Sequence, residues 1–368
     1  MAENKKLRIG ITQGDTNGIG YEVIMKALAT DEMLQLCTPI IYGSAKALSY
    51  HRKAIDMQNF AANITRYPGN VKNGVINMVE TMNGEEVKID LGEPSKIAGK
   101  AAFVALEAAV KDLKAGNIDA LVTAPINKDN IQSDQFHFVG HTEYLQANCG
   151  ENANALMILF DEHIRVALVT THLPLSQVAQ AITTDTIITR LRTFDASLRR
   201  DFGIERPRIA VLALNPHAGD NGLLGSEEKE IIEPAIAQAY DDHILCFGPY
   251  PADRFFAMEQ YRHFDGVLAM YHDQGLAPFK TIARGEGVNF TAGLPVVRTS
   301  PDHGTGYDIA GKNMADATSM RHAIYAAIDI CRNRAAHDEA YANPLEKLYE
   351  IRGKDNVVLD LTQDEEQA

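Results

Sequence analysis

The sequence predicts an α/β protein of two lobes, with mainly parallel sheets covered by helices on both faces. Three observations lead there. Short apolar runs of strand type alternate with helix-period segments along the whole chain, the pattern of βαβ units. At 368 residues the chain is longer than most single domains. Several apolar runs also end in turns rich in Gly, Asn, Asp and His, where open α/β sheets bind ligands.

Leu7 to Thr12 reads as a strand, followed by the Gly-rich turn Gly14-Asp15-Thr16-Asn17-Gly18 and an amphipathic helix from Tyr21 to about Thr30. Strand, glycine turn and helix form the shape of a phosphate-approaching loop. Neither the P-loop nor the dinucleotide Gly-x-Gly-x-x-Gly fingerprint is present, so a ligand loop and a structural tight turn both stand. Pro39 to Gly43 is a second strand, and Asn63 to Pro94, without a clear period, reads as connecting structure with an edge strand. Ile97 to Ala115 has helical spacing and Gly116 where a C-terminal cap belongs. Asp119 to Thr123 is a strand ending at Asn127-Lys128, a lysine placed to reach an anion.

Further on, His141 and Thr142 open a helix whose first N–H groups suit an anion. Arg165 to Thr170 is a strand leading to His172, and the helix from Asp185 buries Ile187, Leu191, Phe194 and Leu198. Arg208 to Leu214 is the most strand-like run and leads to Asn215-Pro216-His217. Ser226, Glu227 and Glu228 then open a helix with acids in its first turn, as the helix dipole favours. Gly248 to Arg254 reads as a Pro-containing loop bearing Asp253. Gly266 to Met270 is a strand running into His272, Asp273 and Lys280, which reads as one turn. The last helix spans about Ser319 to Ala335, and the acidic tail Asp364 to Ala368 reads as frayed.

The formal charge of −14 argues against a nucleic-acid footprint, and no apolar run is long enough to span a bilayer. A polar start without a signal peptide gives a soluble cytoplasmic protein as the expectation. Cys37, Cys149, Cys246 and Cys331 are far apart and form no Cys-x-x-Cys pair, which suits reduced thiols.

His172, His217 and His272 each lie two or three residues past an apolar strand. Three imidazoles from three strand ends, with an open fourth position, is how a catalytic divalent metal is held; three unrelated polar turns is the competing reading. Lys280, Arg298, Asn289, His141 and Thr142 supply groups suited to an anionic substrate, with Arg298 able to hold a carboxylate or phosphate bidentately.

Gly140-His141-Thr142-Glu143, Asn215-Pro216-His217-Ala218-Gly219, Met270-Tyr271-His272-Asp273-Gln274-Gly275-Leu276, Gly293-Leu294-Pro295 and Asp302-His303-Gly304-Thr305 together resemble the 4-hydroxythreonine-4-phosphate dehydrogenase family of pyridoxal phosphate biosynthesis. The resemblance implies an isocitrate/isopropylmalate-dehydrogenase-like fold, with residues 1–135 and 305–368 in one lobe and 136–304 in the other. It also implies a homodimer whose two subunits complete each active site. It places metal ligands on His172, His217 and His272 and substrate contacts on His141, Thr142, Lys280, Asn289 and Arg298. NAD or NADP is the implied cofactor, bound without a Rossmann fingerprint; Gly14, Asp15 and Gly18 are the candidates to approach it. Asp253, Asp273 and Lys280 are the candidate proton-transfer or orienting groups. Imidazole ligation favours zinc, cobalt or nickel, with manganese or magnesium admitted by availability.

Two departures bear on specificity. The family has Pro-Ala where this chain has Thr16-Asn17, and a basic residue where it has Glu286. A paralogous dehydrogenase of 4-phospho-threonate or 4-phospho-erythronate is therefore the nearer alternative. A phosphate acyltransferase of the same fold superfamily, which needs neither a histidine-bound metal nor a nicotinamide, is the more distant one.

Overall fold

Twelve strands form one continuous sheet in the computed structural model, which describes residues 6–82, 87–134, 136–150 and 153–344. They are β1 (Leu7–Thr12), β2 (Cys37–Gly43), β3 (Asn63–Thr65), β4 (Asn77–Glu80), β5 (Ala120–Thr123) and β6 (Leu156–Phe160). The rest are β7 (Arg165–Leu168), β8 (Arg208–Leu212), β9 (Leu245–Tyr250), β10 (Gly266–Ala269), β11 (Val288–Ala292) and β12 (Arg298–Pro301). Their spatial order is β3-β4-β2-β1-β5-β12-β11-β6-β7-β10-β8-β9. Most of them are apolar runs buried on both faces, as parallel sheets require.

A single row of paired residues crosses nearly the whole sheet: Ile64, Met78, Ile41, Ile11, Val122, Thr299, Phe290, Ile158, Ala167, Leu268 and Val211. The six strands from β3 to β12 are mutually parallel, as are β7, β10, β8 and β9, but the pairings β12–β11, β11–β6 and β6–β7 are antiparallel. The two parallel groups therefore run in opposite senses. In a flat sheet their carboxyl ends would face opposite edges. Strand twist of roughly 20–25° per pair, accumulated over the steps from β1 to β10, turns the second group round so that its end turns approach those of the first.

Helices cover both faces, and their ends follow local chemistry. Lys96–Lys114 is capped by Ser95, whose Oγ accepts from the Ala98 amide, and ends before Gly116 at φ +71°. Thr184–Arg200 starts with a reciprocal Thr183–Thr186 capping box and buries Ile187, Leu191, Phe194 and Leu198. Thr318–Ala340 packs along β12 and β5. No described helix is long and apolar enough to cross a membrane. All four cysteines are free.

Several local readings change. Asn63 to Pro94 holds two strands, β3 and β4, because Met78 and Val79 pair into the buried sheet despite their polar surroundings. Gly248 to Arg254 is not a loop. It contributes the end of β9, with a cis Gly248–Pro249 bond, and then the helix Ala252–Ala257. His272 to Lys280 is not one turn but most of the helix His272–Ala283, with Pro278 inside it. Residues 298–301, expected with residues 136–304, pair in parallel with β5. The tail Asp364 to Ala368 lies outside the described residues.

Phe194 is fully buried and its ring sits where a Cβ on Gly266 would fall. Phe194→Ala is expected to lower unfolding free energy by about 3–5 kcal/mol, read from urea denaturation, by removing ring contacts between Thr184–Arg200 and β10.

Candidate functional site

The centre of the site is Arg298, the first residue of β12. Only 3% of it is exposed. Its Nε and one terminal nitrogen donate to Thr123 Oγ1 at 3.0 and 2.6 Å, and the other donates to Thr291 Oγ1 at 3.2 Å. Both partners are neutral hydroxyls. Burial pushes the guanidinium down to about 10, offset in part by Glu143.

Beside it the helix His141–Cys149 begins. Burial, with help from Arg298 and Lys128, holds His141 well below the ordinary imidazole range, so the ring is neutral at physiological pH. Its Nε2 is shielded from solvent and has no protein partner, and the same is true of Asn289 Oδ1. Buried polar atoms are nearly always satisfied, and the His141 orphan, whose ring feels the Arg298 charge, offers a ligand a hydrogen-bonding partner at this clamp. Thr142 Oγ1 stands 3.5 Å from Thr291 Oγ1, which links the helix start to the arginine clamp.

Glu143 carries the site across the antiparallel junction. Its Oε1 is 3.9 Å from His172 Nδ1, and the rings of His172 and His272 are 6.0 Å apart, centroid to centroid. Burial is the main cause of a lowered His172 pKa, with Lys128 adding to it. His272 Nδ1 lies 2.7 Å from Asp273 Oδ1; a proton on Nδ1 leaves Nε2 free to act as a ligand.

His217 is held apart from this pair. It lines a cavity of about 550 Å³ with Asp253, Tyr271, Gln274 and Pro278. Its turn is unusual: His217, Ala218, Gly219, Asp220 and Asn221 all have positive φ, between 42 and 75°. Four of the five carry side chains, at a conformational cost of about 1–2 kcal/mol each. What holds the turn is Glu228, which is 2% exposed. Its carboxylate accepts from the Leu214 and Asn215 amides at 2.9 and 2.7 Å and from Asn215 Nδ2 at 3.0 Å, while Glu227 takes Asn215 Nδ2 at 2.6 Å. Glu228 thus clamps the preceding turn and is not simply the helix-dipole acid its position suggested. Within one chain the three histidines do not converge: no three His, Cys, Asp or Glu among the described residues are grouped as an ion requires.

Lys280 reaches Asp302 Oδ1 at 3.5 Å from the last turn of its helix. Asp302 is raised by burial and pulled back by Lys280. The Gly14–Gly18 turn, by contrast, is internal. Gly14, Asp15 and Gly18 are buried, and the amides of Asp15, Asn17, Gly18 and Ile19 already donate to Pro125, Asp15 and Thr305. The Asp15 carboxylate is also engaged, by Asn130 Nδ2 and the Tyr307 hydroxyl. These amides are spent within the fold, so the turn's visible role is structural.

Thr123, Thr291, Glu143 and Asp302 carry parts of this geometry that no sequence reading assigns to them. For Thr123 and Thr291 no sequence signal existed, since each is one more threonine in a strand. Asp302 and Glu143 stood inside quoted motifs.

The family model described as Pyridoxal phosphate biosynthetic protein PdxA matches residues 35–327. A 4-hydroxythreonine-4-phosphate dehydrogenase of Bacteroides thetaiotaomicron is 54% identical over 361 residues, covering 98% of each chain. A relative from Oceanobacillus iheyensis, provisionally described as a D-threonate 4-phosphate dehydrogenase, is 39% identical over 337 residues, covering 89% of this chain and 98% of its own. Among solved structures, a 4-hydroxythreonine-4-phosphate dehydrogenase from Klebsiella pneumoniae superposes with a TM-score of 0.74 at 34% identity, covering 90% of this chain and 99% of that one.

Glu228→Ala leaves two buried amides without acceptors and is expected to destabilise the fold by about 3 kcal/mol in urea titration, with Glu228→Gln costing less. His51, buried with Nε2 2.7 Å from the Thr16 carbonyl, is lowered from 6.5 mainly by burial. The unfolded chain therefore takes up that proton first, and this contribution to stability is present above 6.5 and is lost as pH falls through the folded-state value. The thermal midpoint is expected to drop between about pH 7.5 and about pH 5.5, and His51→Gln to flatten that drop.

Proposed function

This chain belongs to the pyridoxal phosphate biosynthetic PdxA family, and on that premise we propose that it oxidises 4-phosphohydroxy-L-threonine at the C3 hydroxyl with NAD or NADP. The β-keto acid formed then loses carbon dioxide to give 3-amino-2-oxopropyl phosphate. The observation that carries this reading is Arg298, a buried cation held by two hydroxyls and faced by the unfilled Nε2 of His141. Such a pocket is built for an anion.

In this reading Arg298, His141 and Thr142 bind and orient the substrate's anionic end, with Asn289 taking a hydroxyl or amino group. Lys280, 3.5 Å from Asp302, adds a second cation and is the proton donor to the carbon that loses carbon dioxide. Asp273 fixes the His272 tautomer, and Asp253 in the His217 cavity is the acceptor for the hydroxyl proton.

Two imidazoles fit a divalent ion, since His172 is biased to its neutral form and His272 has its Nε2 free. A third ligand needs His217, which one chain does not bring to the pair, so the proposal includes a homodimer in which two chains complete each site. Leu223 and Leu224, 78% and 44% exposed just after the His217 turn, suit a buried contact there. When bound, zinc or a similar ion supplies Lewis acidity toward the hydroxyl, and the nicotinamide supplies the hydride acceptor.

The nearer alternative is the same chemistry on 4-phospho-threonate, favoured by the Oceanobacillus relative's description and by Glu286 in place of a basic residue. The deciding experiment follows nicotinamide reduction by absorbance with each substrate, with and without chelator. Metal-dependent turnover preferring 4-phosphohydroxy-L-threonine is expected. Preference for the threonate moves the enzyme to the alternative, and no turnover with either substrate and either nicotinamide rejects both. His217→Ala is expected to lower bound metal, read by elemental analysis, at least about tenfold.

A further inference from the structure

We propose that Thr123 and Thr291 are specificity-determining positioning residues: their hydroxyls aim Arg298 without neutralising it, and so reserve its full charge for a dianionic phosphate. The inference rests on the reading of Arg298 as the anion-binding residue and goes one step behind it, to what keeps that arginine available.

The chain supplies its own comparison. Among the described residues two arginines are buried, Arg298 and Arg334. Arg334 is structural, and it is neutralised: its Nε donates to Asp201 Oδ1 at 2.6 Å, and its side chain and that of Asp201 are only 9% and 4% exposed. That is the usual condition for a buried cation, because an unpaired one is costly. Arg298 is at least as deeply buried, and among the described residues it forms no ion pair with a carboxylate. Among the described residues its three hydrogen bonds all end on threonine hydroxyls.

Each hydroxyl does a distinct job. Thr123 Oγ1 receives two N–H groups, fixing the guanidinium plane, and Thr291 Oγ1 receives one and stands 3.5 Å from Thr142 Oγ1. A hydroxyl accepts these bonds while adding no charge. A carboxylate in the same place would fix the arginine equally well and cancel it. The neighbours agree with this arrangement: His141 is neutral with Nε2 unfilled, and Glu143, the acid whose field reaches Arg298, lies 3.9 Å from His172. Charge is left open in the pocket, and the ligand closes it.

The test uses Thr123→Ser, Thr123→Val and Thr123→Asp in the full chain, with Arg298→Ala as control. Two readouts are taken: KM and kcat for the phosphorylated substrate, and the rise in thermal midpoint on adding inorganic phosphate. Thr123→Ser is expected to behave as wild type. Thr123→Val is expected to raise KM by about tenfold with kcat changed by no more than about twofold, the mark of lost uniform binding. Thr123→Asp, which pairs with Arg298, is expected to raise KM by about 100-fold and abolish the phosphate-induced shift, while its own midpoint without phosphate stays at or above that of Thr123→Val.

Wild-type KM and phosphate shift in Thr123→Asp, with both lost in Arg298→Ala, would overturn the clamp and leave the function standing. If Arg298→Ala itself keeps both, the anion-site reading fails and the clamp with it. Should Thr123→Asp not fold, Thr123→Val with unchanged KM is sufficient to reject the inference.

Discussion

Everything in this fold that bears on chemistry depends on three antiparallel pairings in the middle of an otherwise parallel sheet. β12–β11, β11–β6 and β6–β7 reverse the chain direction without breaking the sheet. They keep one hydrogen-bonded row running from Ile64 to Val211, so both halves share a rigid frame and twist together. Twist then compensates for reversal. The Glu143–His172 and Lys280–Asp302 approaches, each between segments from different parts of the chain, are the local consequences.

On that frame two kinds of polar burial coexist. Arg334 with Asp201, and Glu228 with the amides around Asn215, are closed systems in which each buried charge is met by an opposite charge or by several hydrogen bonds. They hold helices and a strained turn in place. Arg298, His141 Nε2 and Asn289 Oδ1 are open: charge and hydrogen-bonding capacity are buried, and among the described residues only hydroxyls bond the guanidinium, with Glu143 acting on it through its field. Stability favours the first kind, and the second persists because the surrounding strands over-determine it.

The histidines show how a strand-end pattern can be right in chemistry and incomplete in geometry. His172 and His272 leave adjacent strands, β7 and β10, and their rings come within 6.0 Å. His217 leaves β8, on the far side of β10, and enters a left-handed turn that points it into a separate cavity. Nothing in the sequence His217-Ala218-Gly219-Asp220-Asn221 announces five successive positive φ values, since even residues that tolerate the left-handed region visit it singly. The turn is imposed from outside by Glu228, nine residues beyond Gly219.

What the sequence determined by itself is what periodicity and punctuation can carry. The buried strands Leu7–Thr12, Arg208–Leu212 and Gly266–Ala269, the capped helices, the helix start at His141 and the strand ends leading to His172 and His272 follow from local apolar pattern and cap chemistry. Tertiary structure decided the rest, because it turns on which strands become neighbours. The short strands β3 and β4 exist only because the sheet edge gives them partners. The Gly14–Gly18 turn reads locally as either a ligand loop or a structural turn, and only the tertiary structure shows its groups engaged by Pro125, Thr305 and Tyr307. The pairing of Arg298 with Thr123, 175 residues away, has no local trace at all. A hydroxyl in one strand acquires its role only when register places it against the arginine of another.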